Sequence, residues 1–198
     1  MIAALSRLGW RRADMSIADD LERRLRAHAA FDATEQGHLD HLRAFLASDG
    51  DPIARENPIG HVTASALVID RQTNTTLLTH HAKLGKWFQL GGHIDQGDAT
   101  VLSAALREAT EESGLAGLTP WDEAVFDVDV HTIPFYRGRG EPEHLHFDVR
   151  FLLAAPNRDI AISDESNDLR WFSLDEAAAV ASDDSLGRMI WKVRSRLT

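Results

Sequence analysis

Cysteine is absent from this chain of 198 residues. That excludes structural disulfides, thiolate zinc sites and a cysteine nucleophile. Long apolar runs are missing as well, and none approaches the ~18 residues of a membrane span. The N-terminal MIAALSRLGWRR has no apolar core behind a basic start. A secretory leader is therefore not expected, and a cytoplasmic location is. Basic charge is scarce: 21 Lys and Arg stand against 31 Asp and Glu, for a formal net charge of −10. A partner of duplex nucleic acid would need a basic stripe, so neither nucleic acid nor membrane is expected as a partner. A small phosphate substrate stays compatible with the acidity, because a bound divalent cation inverts the local charge.

The chain divides by style. Residues 1–58 read as a helical extension. Ser16-Ile-Ala-Asp19 carries an N-cap signature, and Leu21, Leu25 and His28 continue it at helical spacing. A second helix is expected from Thr34 to Ala47, with Leu39, Leu42, Phe45 and Leu46 as its stripe. Asp49-Gly-Asp-Pro52 breaks it. The main domain is expected over residues 59–198. Strands are expected at His61–Ile69, Thr75–His80, Lys86–Leu90, Ala124–Ile133, His144–Leu153 and Leu169–Phe172. Helices are expected at Ala99–Ser113, from a capping box at Ser173–Glu176, and at Leu186–Leu197. Strands on both sides of one helix, with late helices for the other face, predict an α/β/α sandwich around a mixed sheet.

The stretch from Gly91 to Leu115, GGHIDQGDATVLSAALREATEESGL, concentrates the chemistry. Glu108, Glu111 and Glu112 are spaced i, i+3, i+4 and share one helix face. Like charges placed so destabilise a helix by roughly 0.2–0.5 kcal/mol per pair. They also lie toward the C-terminal end, where the helix dipole disfavours anions. Arg107 offsets part of this. A hard divalent cation resolves the rest, because Mg²⁺ takes carboxylate, water and phosphate oxygens. Leu102, Leu106 and Ala109, with Ala105, supply a face for the core.

This stretch resembles the Nudix box, the pattern G-x5-E-x7-R-E-U-x-E-E-x-G-U with U apolar. Gly92 matches its first glycine, and Arg107, Glu108, Ala109, Glu111, Glu112, Gly114 and Leu115 match its second half. Two departures stand out. Asp98 occupies the first glutamate's position, where it can cap the helix, and eight residues instead of seven separate it from Arg107. The loop is similar to a Nudix subgroup that reads GGHxDxGD. The resemblance covers roughly residues 60–182 and implies a Nudix fold. It implies a Mg²⁺- or Mn²⁺-dependent hydrolase of a diphosphate bond in a nucleoside diphosphate derivative or similar small molecule. It further implies that Glu108, Glu111, Glu112 and the Gly91 carbonyl hold metal, that Arg107 orients a box carboxylate, and that Glu108 or Glu165 takes the proton of the attacking water. Glu165, in the loop before the last strand, is also a further metal ligand by this resemblance, with Asp164 its near competitor. Many relatives are dimers, so a homodimer is an open expectation. Isopentenyl diphosphate isomerases share the fold but use a cysteine that this chain lacks. A Nudix-fold ligand-binding or regulatory module without hydrolysis is the alternative.

Outside the box, His144, His146, Asp148 and Arg150 alternate with Leu145, Phe147, Val149 and Phe151, so one strand face is polar. Four ionisable groups in a row suggest a cleft. Substrate contact is expected for His144, His146, Asp148 and His93, with His61 converging on them. Histidines with an aspartate also form metal sites, though phosphate chemistry on hard metals does not need imidazole. Arg137 and Arg139 could clamp phosphate. Trp87, Phe88 and Trp121 read as core or base-stacking residues, Trp171 and Trp191 as core.

Overall fold

The computed structural model describes residues 16–82, 84–135, 142–163, 166–181 and 183–197. Two helices come first, α1 (Ile17–Ala27) and α2 (Ala33–Leu46). The strands β1 (Gly60–Asp70), β2 (Thr75–His81), β3 (Trp87–Phe88) and β4 (Leu90–His93) lead into α3 (Val101–Ser113). Then follow β5 (Thr119–Pro120), β6 (Asp127–Ile133), β7 (His144–Ala154), β8 (Ser166–Ser173), α4 (Leu174–Val180) and α5 (Asp184–Leu197). All strands join one mixed sheet along β3-β2-β1-β7-β5, with β8 on β2, β4 on β1 and β6 on β7. Among the described strand pairs only β1 and β7 run parallel, paired from Gly60↔Leu145 to Ile69↔Ala154.

The pleat of those two central strands explains the layers. Val62, Ala64, Ala66 and Val68 point the same way as Phe147, Val149, Phe151 and Leu153, and together with α1, α2 and α3 they form the larger core. The Phe45 ring of α2 stacks on Phe147 at 4.1 Å. The opposite face changes character along its length. Its far half, Leu67, Ile69 and Leu152, packs with Phe172 and with Leu186, Met189, Ile190 and Val193 of α5. Its near half carries His61, Thr63, Ser65, His144, His146, Asp148 and Arg150. The α/β/α sandwich with N-terminal helices is thus the observed architecture.

The N-cap expected at Ser16 forms, as a capping box with Asp19, and the capping box expected at Ser173 forms with Glu176. Three local expectations are corrected. The N-cap of α3 is Thr100, in a capping box with Ser103, because Asp98 is taken by Arg107. The strand expected to end at Leu90 is split into β3 and β4, and Gly91 and Gly92 lie inside β4, paired with Ser65 and Ala64. Trp191 is 60% exposed. The buried stripe of α5 runs 186, 189, 190, 193, which turns position 191 outward, where its ring meets Phe31 at 5.9 Å.

The N-terminal helices are bound to the sandwich by polar as well as apolar contacts. Asp20 on α1 is fully buried and accepts the Val101 N–H at the start of α3 at 3.1 Å. A carboxylate there satisfies an orphan donor and meets the positive end of the helix dipole. Beyond β7, β6 would present unpaired donors. On α2, Glu35 accepts the Val128 N–H at 3.1 Å and His38 the Val130 N–H at 2.8 Å, so the helix covers this edge.

Candidate functional site

Strand β4 separates two clusters of functional side chains. Gly91 has φ +150°, and a Cβ built there would stand 2.4 Å from Ser65 Oγ and 2.5 Å from Ser65 Cα. Both the backbone angle and the close approach to β1 demand glycine. Its N–H points away from β1 and donates to Glu112 Oε2 at 2.9 Å. At Gly92 a Cβ would lie 2.6 Å from Glu108 Oε2, so the missing side chain makes room for that carboxylate. Substituting Gly91→Ala is expected to cost roughly 1–3 kcal/mol in stability and to pull β4 off Glu112. Gly97→Ala, with nothing within 4 Å of its Cβ, is expected to stay within about 0.5 kcal/mol in the same thermal melts.

Arg107 organises the carboxylates. Its Nη1 donates to Glu108 at 2.9 Å and to Glu111 at 3.1 Å, and its Nη2 to Asp98 at 2.9 Å and to the His93 carbonyl at 2.9 Å. Its Nε reaches Asp98 at 3.2 Å. With every nitrogen engaged, the guanidinium locks the loop after β4 to the helix. Its hydrogen bond to Asp98 is the main cause of a strongly raised Arg107 pKa. Burial pushes the Glu108 carboxyl up, Arg107 opposes this, and Glu111 and Asp95 add to the rise. The donors that remain, carboxylate oxygens crowded around one helix end against a strand edge, fit a hard divalent cation and not a soft one.

On the opposite face of β4 the sheet gathers histidines. The registers His61↔His146 and His131↔His146 align three strands, and His93 stands opposite Thr63, two residues along from His61. Ring centroids lie 4.7 Å apart for His61–His146, 5.0 Å for His61–His93, 5.1 Å for His61–His144 and 5.2 Å for His144–His146. Burial, with the neighbouring imidazoles and Arg55, holds His93 down to about 4, and burial with four neighbouring imidazoles holds His146 down to about 2. Both rings are neutral at physiological pH.

Beneath the histidines lies a buried ionic network. Asp148 accepts from Thr63 and Ser65 on one oxygen and from Gln89 and Arg150 on the other. A direct contact between Asp148 and substrate would break one of these bonds. Arg150, expected on a cleft wall, is fully enclosed and joins Asp127, Asp129 and Asp148, while Arg188 on α5 reaches Asp127 at 2.8 Å. Gln89, Thr63 and Ser65 escaped sequence reasoning. The signal of Thr63 and Ser65, a polar residue at every second position of β1 opposite the β7 polar face, becomes readable only with the register. Glu165, Asp164, Arg137 and Arg139 lie outside the described residues. Trp87 packs edge-on against Phe172 at 4.8 Å, and Trp121 lies under the Arg71 guanidinium at 3.7 Å.

The fold and site together define an α/β/α sandwich in which a carboxylate-bearing helix lies along a glycine strand edge. The profile of the NUDIX domain matches residues 60–190, and the chain belongs to that family. It is 28% identical over 108 residues to the asymmetrical bis(5'-nucleosyl)-tetraphosphatase of Caenorhabditis elegans, covering 54% of this chain and 72% of that protein. It is 33% identical over 98 residues to nucleoside triphosphatase NudI of Salmonella schwarzengrund, covering 48% of this chain and 66% of the relative. Among solved structures, the NUDIX domain of Shewanella oneidensis NrtR complexed with ADP ribose superposes with TM-score 0.53 at 20% identity, over 79% of this chain and 98% of that one. A C. elegans Ap4A hydrolase binary complex gives TM-score 0.52 at 20% identity, over 69% and 96%. No helix among the described residues is long and apolar enough to cross a membrane.

Proposed function

We propose that this chain is a Mg²⁺- or Mn²⁺-dependent hydrolase that cleaves a diphosphate bond in a nucleoside diphosphate derivative or a similar small molecule. The observation that carries the reading is the grouping of Glu108, Glu111 and Glu112 around Arg107 and the free edge of β4. These three carboxylates, with the Gly91 carbonyl, would hold the cation. Bound there, it would supply charge neutralisation of the diphosphate oxygens and activation of water. Glu108 is half-buried and anchored by Arg107, a posture suited to receiving the proton of the attacking water. Glu165 is the other candidate for that proton. The water oxygen bonds to one phosphorus, the bridging P–O bond breaks, and a phosphorylated product leaves. Arg107 is a positioning residue, because its nitrogens are spent on Asp98, Glu108, Glu111 and the His93 carbonyl. His93 lies where the box loop meets the histidine face, so we assign it a substrate contact, with Asp148 holding Gln89 in place beneath. The nucleotide-directed names of the nematode and Salmonella relatives favour a nucleoside polyphosphate moiety.

The test is product release from nucleoside diphosphate derivatives, dinucleoside polyphosphates and nucleoside triphosphates, with and without Mg²⁺ or Mn²⁺. Turnover of at least one class is expected, strictly dependent on the ion. Thermal stabilisation by a ligand without product from any member of the panel would favour the binding-module reading, to which the lengthened Asp98 loop lends itself.

A further inference from the structure

The histidine face carries a second site of different chemistry. We propose that His61, His144 and His146 bind a borderline transition-metal ion, Zn²⁺ or its mimics Co²⁺ and Ni²⁺, distinct from the hard cation of the carboxylate helix. One ring nitrogen from each of the three lies within 4.8 Å of the others. A tetrahedral zinc site with bonds of ~2.0–2.1 Å places its nitrogen donors roughly 3.3 Å apart, so rotation of the rings closes the set.

The surroundings are those of a metal site. His144 Nδ1 lies 2.9 Å from the Pro142 carbonyl. An acceptor there fixes the proton on Nδ1 and leaves the Nε2 lone pair for an ion, the outer-shell arrangement that metal-bound histidines use. His131, ring to ring with His146 at 5.6 Å, has its Nδ1 3.1 Å from Asp129 Oδ2, a second imidazole oriented the same way. His93 flanks the set on the other side, 5.5 Å from His146. Asp148 is consumed by Thr63, Ser65, Gln89 and Arg150, so the donors are imidazole alone. Imidazole suits zinc, nickel and copper, whereas Mg²⁺ selects oxygen. Three protein ligands would leave a fourth position for water or another ligand, the pattern of ligand-accepting zinc sites. The carboxylates lie on the other side of β4, so the two sites differ in donor type and in sheet face. His144 and His146 thereby gain a ligand role in place of direct substrate contact.

The experiment uses the full chain, stripped of metal and titrated with Co²⁺ in excess Mg²⁺. Visible bands of four- or five-coordinate cobalt are expected at one equivalent, bleached by stoichiometric Zn²⁺. His144→Ala should weaken Co²⁺ binding by at least about 100-fold, beyond the upper end of what losing an outer-shell partner costs. Glu112→Gln should leave the bands intact, which separates this site from the hydrolase reading. Bands that survive His144→Ala, or vanish in Glu112→Gln, would overturn the proposal. X-ray absorption of the zinc-loaded wild-type protein decides without any variant: an imidazole shell is expected, and an oxygen-only shell refutes the site.

Discussion

Glu112→Gln is expected to lower turnover of the best diphosphate substrate by roughly 10²–10³-fold, the scale on which one preorganised electrostatic contact acts in a site. The fold should be untouched. Glu112 sits at the last turn of α3 and accepts the Gly91 N–H at 2.9 Å. The amide oxygen of glutamine is an acceptor of the same shape, so the bond between β4 and α3 survives. What is lost is one formal charge among three. Hard cations are bound chiefly through charge and oxygen donors, so the amide holds the ion poorly. The expected signature is a raised requirement for Mg²⁺ or Mn²⁺ along with the lower rate, at an unchanged melting temperature. Turnover like that of the wild type, at the wild-type metal requirement, would sink the carboxylate site. Glu112→Ala is the less informative change, because it also removes the acceptor for Gly91.

Much of that site can be read before any coordinates, and the reason is physical. Residues 107–112 act within two turns of one helix, and helical spacing alone sets which of them meet. The alternation of β7 is equally local, and its polar and apolar faces are where the sequence places them. The histidine cluster is different in kind. His61, His93, His131 and His146 come from four strands, and three registers bring them together: β1 parallel on β7, with β4 antiparallel on β1 and β6 antiparallel on β7. Convergence of His61 and His93 on the β7 histidines could be suspected, but nothing local reports register. The same holds for the enclosed Arg150. On its own strand it looks like one more polar residue facing a cleft, but it is enclosed with Asp127 and Asp129 of β6, and Arg188 and Lys192 on α5, far along the chain, meet it there at Asp127. Trp191 failed as a core residue because composition says aromatic, while the stripe at 186, 189, 190 and 193 decides which side of α5 is inside.

The N-terminal helices show the same long-range logic, and it yields the largest stability effect expected of a single substitution. Glu35 on α2 is fully buried and ties together three parts of the molecule. Its Oε1 lies 2.9 Å from His28 Nε2 and accepts the Val128 N–H at 3.1 Å, while its Oε2 accepts the Phe31 N–H at 2.7 Å. Lys192 on α5 donates to both oxygens at 2.8 Å and to Asp127 at 2.9 Å. Glu35→Ala leaves the ammonium half-compensated and an edge-strand N–H unpaired, which is expected to cost roughly 3–5 kcal/mol. Against a total of about 5–15 kcal/mol for a typical domain, that is a large fraction. Replacing both partners by apolar groups, Glu35→Leu with Lys192→Met, should recover part of the loss, since the buried charge is then gone. The pH dependence follows from the same contacts. Burial alone would raise the Glu35 carboxyl, but the bonds from His28, Lys192 and the Phe31 N–H outweigh it and hold the folded value at about 2, against 4.5 ordinarily. The folded state therefore binds this proton more weakly than the unfolded chain. Its contribution, roughly 3 kcal/mol, is complete above the unfolded value and disappears as pH falls from about 5 toward 2. Urea unfolding across that range should show wild-type stability dropping more steeply than that of Glu35→Ala, so the two curves draw together in acid. Because Glu35 stands apart from the carboxylate helix, turnover per folded molecule should be unchanged below the variant's melting temperature. Parallel curves with a constant gap would mean that the buried carboxylate is not the group that links these helices to the sheet.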